Sequence, residues 1–349
     1  MTAEPADATA APPGVDVARV TGWLAARLPH LRPPLSFHLI AGGRSNLTYR
    51  VADVDGRAWV LRRPPLGQVL DTAHDVAREH RIISALAGTA VPVPPAVGLC
   101  TDTSVTGAPF YVMDLVEGLV ARDAAAAGTL GRDARSRAGQ EVADVLARIH
   151  DIDPDAVGLG DLGRREGYVE RQLARWSRQW ERSKTRDLPL VEEVHAALAA
   201  RVPPQGPATI VHGDYRLDNC LLAPDGTILA VLDWELCTLG DPLADLGLLL
   251  VYWSEPGDAH PALLDAPTAL DGFPSRASLV DRYAAASGRD TGELGYFVAL
   301  GYWKLACILE GVHARYRGGV MGDSPGHEGF ARQVEILVGA ARATLDALG

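Results

Sequence analysis

The stretch "IVHGDYRLDNCLLAPDGTILAVLDWE", from Ile210 to Glu235, sets His212, Asp214, Asn219 and Asp233 among runs of aliphatic residues. A polar group taken out of water without a partner costs several kcal/mol, roughly 2–7 by the harsher scales. The cluster is therefore either a tightly satisfied turn or the holder of something charged. The "PDG" at 224–226 separates two β-forming runs and reads as a hairpin turn. Folding there brings Asn219, at the start of one strand, towards Asp233, at the end of the other. An amide oxygen beside a carboxylate suits a hard cation such as Mg²⁺, which takes oxygen ligands and keeps several waters. Asp214, on the loop ahead of the hairpin, is placed to accept a proton from a hydroxyl aimed at a phosphate bound to that cation. His212 reads as structural.

The rest of the chain narrows what such a cluster serves. With 349 residues, 47% hydrophobic and 22% charged, the chain has the balance of a globular protein of two domains or two lobes. Its net charge of −11 argues against a general nucleic-acid or anionic-membrane binder, which would be basic. The four cysteines (Cys100, Cys220, Cys237, Cys307) are scattered with no CxxC pair, so neither a thiolate zinc site nor a disulfide framework is expected. Residues 1–14, rich in Ala and Pro, lack the basic start and apolar core of a secretory signal and read as a disordered tail. The longest apolar run, "LADLGLLLVYW", is too short to span a bilayer, and a cytoplasmic location is expected.

Periodicity divides the chain in two. "LSFHLIAGG", "NLTYRVADVDG" and "RAWVLRRPP" read as antiparallel strands, and "DTAHDVAREHRIISALAG" as a helix capped by Asp71 or Thr72. "PAVGLCTD" and "PFYVMDLVEG" supply two more strands, giving five with one helix. Beyond them the spacing is mainly helical, apart from the hairpin. The expected organisation is a tail (1–14), a small sheet-rich lobe (15–113) and a larger helical lobe (114–349), an α+β architecture.

"HGDYRLDN" followed by "LDWE…GDPLADLG" resembles the signature of the aminoglycoside phosphotransferase and choline kinase family, and the chain is similar to it over roughly residues 35–320. "FYVMDLVEG" and "LACILEGVHARYRGG" most resemble the branch related to kinase domains fused to acyl-CoA dehydrogenases. The resemblance implies a bilobal protein-kinase-like fold and ATP-dependent, Mg²⁺-assisted phosphoryl transfer to a small-molecule hydroxyl, with Asp214 as base and Asn219 and Asp233 as metal ligands. It places Gly43, Ser45 and Asn46 of "AGGRSNLTYRV" around the phosphates. It puts Met113 behind the adenine, with the Asp114 carbonyl and the Val116 N–H bonded to the base. Arg62, paired with Glu79, stands where the family usually has Lys. Arg63, one residue on, should face the other side of the strand and matter little. Gly240, Asp241 and Asp245 match the family's continuation and read as structural, Asp241 as a helix cap and Asp245 as a brace for the catalytic loop.

Other chemistries fit less well. A metallophosphoesterase needs several His ligands from separate loops, and a Ser–His–Asp hydrolase needs a G-x-S-x-G elbow between a strand and a helix, whereas the match "GDSPG" at 322–326 follows a helical run. A pseudokinase-like nucleotide-binding protein and an antibiotic kinase remain as alternatives. From Arg164 to Arg186 there are eight basic and three acidic residues, with Arg171, Arg175, Arg178 and Arg182 opposite an apolar stripe of Val169, Leu173, Trp176 and Trp180. That local charge favours an anionic acceptor such as a hydroxyacyl-CoA over a cationic antibiotic. Neither nucleic acid nor membrane is an expected partner, and oligomeric state is open.

Overall fold

A computed structural model describes residues 12–41, 46–66, 75–258, 265–318 and 327–349. The chain divides into two compact units, Met1–Glu117 with Leu232–Glu235, and Gly118–Val231 with Leu236–Gly349. The division lies a few residues beyond the expected boundary at 113, and the return of 232–235 to the first unit was not foreseen.

The first unit is a sheet with two helices. After α1 (Val17–Ala25) come β1 (Ser36–Ala41), β2 (Leu47–Ala52) and β3 (Ala58–Arg63), then α2 (Val76–Leu86), β4 (Ala96–Cys100) and β5 (Phe110–Asp114). The strand order is β1-β2-β3-β5-β4 and all pairings are antiparallel. Val51, Leu61, Phe110 and Val112 from the sheet bury completely with Val20 and Leu24 of α1. Each such side chain contributes about 1.5–3 kcal/mol by leaving water. The β2–β3 turn closes on Asp53, whose carboxylate accepts from Asp55 N–H and Arg57 N–H at 3.0 Å.

Two expectations are corrected here. The cap of α2 is Asp75, which accepts from the Arg78 N–H at 2.9 Å, while Asp71 and Thr72 lie outside the described residues. Residues 1–11 of the expected tail also lie outside them, but 12–14 are pinned: the Pro13 carbonyl accepts from the Tyr49 hydroxyl at 2.6 Å and the Gly14 carbonyl from Arg63.

The second unit is mainly helical. It begins with β6 (Leu119–Val120), α3 (Ala124–Gly128), α4 (Arg132–Asp151), α5 (Tyr168–Ser183) and α6 (Pro189–Ala199). Four short strands follow, β7 (Thr209–Val211), β8 (Cys220–Leu222), β9 (Ile228–Val231) and β10 (Thr238–Gly240). It ends with α7 (Leu243–Tyr252), α8 (Arg276–Ser287), α9 (Leu294–Arg317) and α10 (His327–Asp346). The expected hairpin is β8–β9, with Cys220 opposite Val231. Sequence reading missed β6, which adds to it, and the β7–β10 pair, because two- and three-residue strands carry no readable period.

α7 is buried on nearly every face, and its Gly247 lets the backbones of α7 and α9 meet: an added Cβ would stand 2.6 Å from the Phe297 carbonyl carbon. The apolar stripe of α5 is buried as expected. All four cysteines are free and buried. Among the described residues, no helix is long and apolar enough to cross a membrane.

Candidate active site

β7 runs straight into the loop that carries Asp214. His212 is fully buried, and Gly213 takes φ +84°, where an added Cβ would come within 2.7 Å of the Leu236 carbonyl oxygen. Only glycine fits that bend. Asp245, from α7, accepts from the His212 N–H at 2.6 Å and the Gly213 N–H at 2.8 Å. Its third contact is His150 Nε2 at 3.4 Å, and the other ring nitrogen of His150 lies 2.8 Å from the Tyr283 hydroxyl. Burial would raise the Asp245 carboxyl, but His150 and the amide donors outweigh it and hold the group below the usual aspartate range. The brace read from the sequence is there.

Past this brace the loop becomes accessible. Asp214 donates its N–H to His212 Nδ1 at 3.3 Å, so His212 shapes the loop, and its own carboxylate is about a quarter exposed. Asn219, at the end of a single 3₁₀ turn, donates its amide to the Asp214 carbonyl at 2.8 Å and to Asp214 Oδ2 at 3.2 Å. That use of the nitrogen leaves the amide oxygen for a cation. Arg216 lies 3.6 Å from Asp214 and 2.9 Å from Asp218, stacked over the Tyr252 ring. Asp241 accepts from the Leu243 N–H at 3.0 Å, but the N-cap of α7 is Pro242, so the expected N-cap is displaced by one residue.

The first unit holds a different cluster. Arg62 NH1 lies 2.9 Å from Glu79 Oε1, and its NH2 lies 3.2 Å from Asp233 Oδ1. Burial alone would lower the guanidinium's pKa, but Glu79, Tyr111 and Asp233 raise it further, so it stays charged. Burial lifts the Glu79 carboxyl to about 7 against the pull of Arg62. Asp233 has φ +64°, alone among the described non-glycine residues in being left-handed. Such a conformation in a residue with a side chain is a mark of functional sites. Buried Arg62 Nε, Glu79 Oε2 and Asn46 Oδ1 have no hydrogen-bond partner among the described residues. Native interiors leave few polar atoms this way, and a bound ligand is one standard reason.

Met113 is buried within β5, opposite Val60 and Ala96, with Asp114 at the strand's end and Val116 two residues beyond. Gly43 and Ser45 lie outside the described residues, whereas Asn46 is buried at the start of β2. Arg63 does face away from Arg62, yet it is not a solvated side chain. It is 4% exposed and donates to the carbonyls of Gly14, Pro64 and Thr106. A guanidinium with three backbone acceptors supports the packing of residues 12–14, a structural part that the sequence did not suggest.

Sequence reading passed over Lys304, whose ammonium donates to the Gly213 carbonyl at 2.8 Å. The signal was present: in "FVALGYWKLACILEG" Lys304 falls four residues after Leu300 and three before Cys307, both buried, a charge on an apolar stripe.

The pattern that defines the phosphotransferase enzyme family APH matches residues 36–295. The chain belongs to that family. It is 36% identical over 310 residues to acyl-CoA dehydrogenase family member 11 of Gallus gallus, covering 87% of this chain and 39% of that protein. It is 35% identical over 291 residues to acyl-CoA dehydrogenase family member 10 of Mus musculus, covering 82% of this chain and 27% of that one. The chain thus spans well under half the length of these relatives. Among solved structures, a Ralstonia eutropha protein provisionally named an aminoglycoside phosphotransferase has TM-score 0.77 and 32% identity, covering 94% of this chain and 98% of that one. A GDP and kanamycin complex of APH(2″)-IIIa, at 16% identity and TM-score 0.63 over 93% of this chain and 98% of that one, shares the fold. The fold is the α+β, kinase-like one expected.

Proposed function

We propose that this chain moves the γ-phosphoryl group of ATP to a hydroxyl of a small, anionic acceptor, a hydroxyacyl-CoA being the first compound to test. The observation that carries the reading is the Asp214 loop, with a carboxylate at its open end, Asn219 bonded to it, and a buried brace behind. In the reaction Asp214 takes the hydroxyl proton as the acceptor oxygen bonds to phosphorus, the bond to the bridging oxygen breaks, and ADP leaves.

Arg62, held by Glu79, is the cation for the phosphates, and its guanidinium forks onto two oxygens. Gly43, Ser45 and Asn46 belong around the phosphates, and Met113, Asp114 and Val116 around the adenine. The partnerless atoms of Asn46, Arg62 and Glu79 fit a site that ligand completes. Asn219 and Asp233 offer an amide oxygen and a carboxylate, and these donors would suit Mg²⁺, a hard cation that takes oxygen ligands. Bound there, Mg²⁺ would neutralise phosphate charge.

The acceptor class rests on two supports. Curated relatives carry acyl-CoA dehydrogenase names. On α5, Arg175, Arg178 and Arg182 are exposed, whereas Arg171 is held by the carbonyls of Arg164 and Glu166, and Arg186 pairs with buried Glu310. One observation favours a second reading, a nucleotide-binding protein of weak catalysis: Arg62 already occupies Asp233, a carboxylate the metal needs.

ADP release from Mg·ATP with 3-hydroxybutyryl-CoA, kanamycin or no acceptor separates these readings. The CoA ester should accelerate release, and Asp214→Asn should cut kcat by about 10³ while Mg·ATP affinity holds. Arg178→Glu with Arg182→Glu should raise KM for the CoA ester and flatten its salt dependence. Turnover with kanamycin alone would sink the anionic acceptor, and release blind to every acceptor would favour the second reading.

A further inference from the structure

The Gly213 residue is gripped from both of its peptide groups. Asp245 of α7 accepts from its N–H at 2.8 Å, and Lys304 of α9 donates to its carbonyl at 2.8 Å. That carbonyl belongs to the peptide linking Gly213 to Asp214, so its orientation fixes where the Asp214 Cα stands. Rotating that peptide breaks the Lys304 grip on its carbonyl and the bond from its N–H to His212 Nδ1.

The ammonium is not placed there by default. Lys304 is part-buried, its Nζ lies 5.6 Å from the Trp176 ring centre, and the Gly213 carbonyl is its one hydrogen-bond partner among the described residues. Burial pulls the ammonium's pKa down, against Asp214 and Asp245, which favour the charged form, while Arg175 opposes it. A neutral amide could have met one carbonyl without that cost.

The space around it decides between holding a ligand and holding the loop. Tyr168, Gln172, Trp176, Gly213, Asp245 and Lys304 line a cavity of about 20 Å³. That is room for about one water, whereas ligand pockets run to several hundred cubic ångströms. Lys304 therefore reaches the loop and not an acceptor.

We infer that Lys304 is a positioning residue for Asp214: its ammonium locks the Gly213–Asp214 peptide opposite the Asp245 grip and sets a cation behind the base. The inference rests on the reading of Asp214 as the base, but its test does not depend on that reading alone. Compare the parent with Lys304→Met, Lys304→Gln and Lys304→Arg, following hydrogen exchange of residues 209–219 and the kinetics of ADP release from Mg·ATP with 3-hydroxybutyryl-CoA as probe.

Exchange in the loop should quicken about tenfold in the Met and Gln variants and return towards the parent in the Arg variant, since one grip on the peptide is lost and then restored. Misplacing a catalytic group by an ångström costs on the order of 10² in rate, so kcat should fall by that factor in Met and Gln while KM for Mg·ATP stays within about twofold. Arg should recover at least a tenth of the parent kcat. Loop exchange equal to the parent in Lys304→Gln overturns the inference, as does parent kcat in that variant. If the parent itself releases no ADP, the phosphotransferase reading fails, and exchange in the folded Gln and Arg variants still decides the fate of Lys304.

Discussion

Glu79 in the first unit and Asp245 in the second are both carboxylates at 1% exposure, and they are treated in opposite ways. Asp245 is satisfied by backbone: two amide N–H groups and a histidine ring use both of its oxygens. Glu79 faces the Arg62 guanidinium, which it shares with Asp233, and the Tyr111 hydroxyl, with the like charges of Asp233 and Glu235 nearby, and its Oε2 has no partner among the described residues. A buried carboxylate that is fully bonded stabilises what it bonds to and gains nothing from a ligand. One left half-bonded beside a guanidinium with its own partnerless Nε can still gain from a ligand, as the phosphate site proposed there requires. The contrast separates scaffold from site inside one chain, using hydrogen-bond satisfaction alone.

Breaking the scaffold should have the largest effect. Asp245→Ala strands the His212 and Gly213 amides in a dry interior, at about 1–3 kcal/mol for each unsatisfied donor. Unfolding free energy should drop by about 2–6 kcal/mol, and turnover should fall with it because the Asp214 loop loses its brace. Urea unfolding measures the first and ADP release the second. A variant with parent stability would show that Asp245 is no brace.

Breaking the other cluster should cost less stability and more ligand. In Arg62→Ala the stranded Glu79 escapes by keeping a proton, so the loss should be about 1–2 kcal/mol, below the roughly 3–5 of a buried charge left bare. Mg·ATP affinity should fall at least tenfold, or about 1.4 kcal/mol. Arg63→Ala should do the reverse, loosening residues 12–14 by losing three carbonyl contacts while nucleotide binding survives. Asp233→Ala should abolish the Mg²⁺ dependence of ATP binding and leave apo stability nearly unchanged, since Asp233 is about a third exposed. Calorimetry on the three variants checks the ranking. Equal nucleotide losses for Arg62 and Arg63 would erase the distinction between the two faces of β3.

The unequal legibility of the two clusters in the sequence has a physical cause. The pairing of Arg62 with Glu79 was implied by the family resemblance, and a strand's twofold alternation only chose Arg62 over Arg63. The Arg62–Asp233 pair was not foreseen, because the hairpin had set Asp233 beside Asn219. The loop was readable as a motif, and so was the role of Asp245. Its full bonding was not, since His150, Tyr283 and Lys304 reach it from α4, α8 and α9, far away in sequence, and pairing over such separations leaves no local period. The same gap hid β6, β7 and β10. The structural part of Arg63 was hidden for a related reason: nothing local to β3 says that its far side is covered by residues 12–14 and 106.

The finest test of the comparison is pH, because the two carboxylates should respond with opposite sign. The Glu79 pKa is about 7 in the folded state, above the ordinary glutamate value, so folding favours its protonated form. Its contribution is fully present below about 4.5 and is lost as pH rises through about 7, with a slope of no more than about 1.4 kcal/mol per pH unit. The Asp245 pKa is held below the usual aspartate range, so its contribution is present above that range and is lost as pH falls through the lowered value. Hydrogen exchange read separately over β3 and α2, and over residues 209–219, resolves the two. Raising pH from 5 to 8 should increase opening in the first region, after correction for intrinsic exchange, and leave the second unchanged. Lowering it below 4 should open the second. Glu79→Gln should remove the upper-pH response, because an amide neither titrates nor pairs with Arg62 as a charge. Responses of the same sign in both regions would mean that Glu79 is an ordinary ionised partner of Arg62 and that the first cluster is as settled as the second.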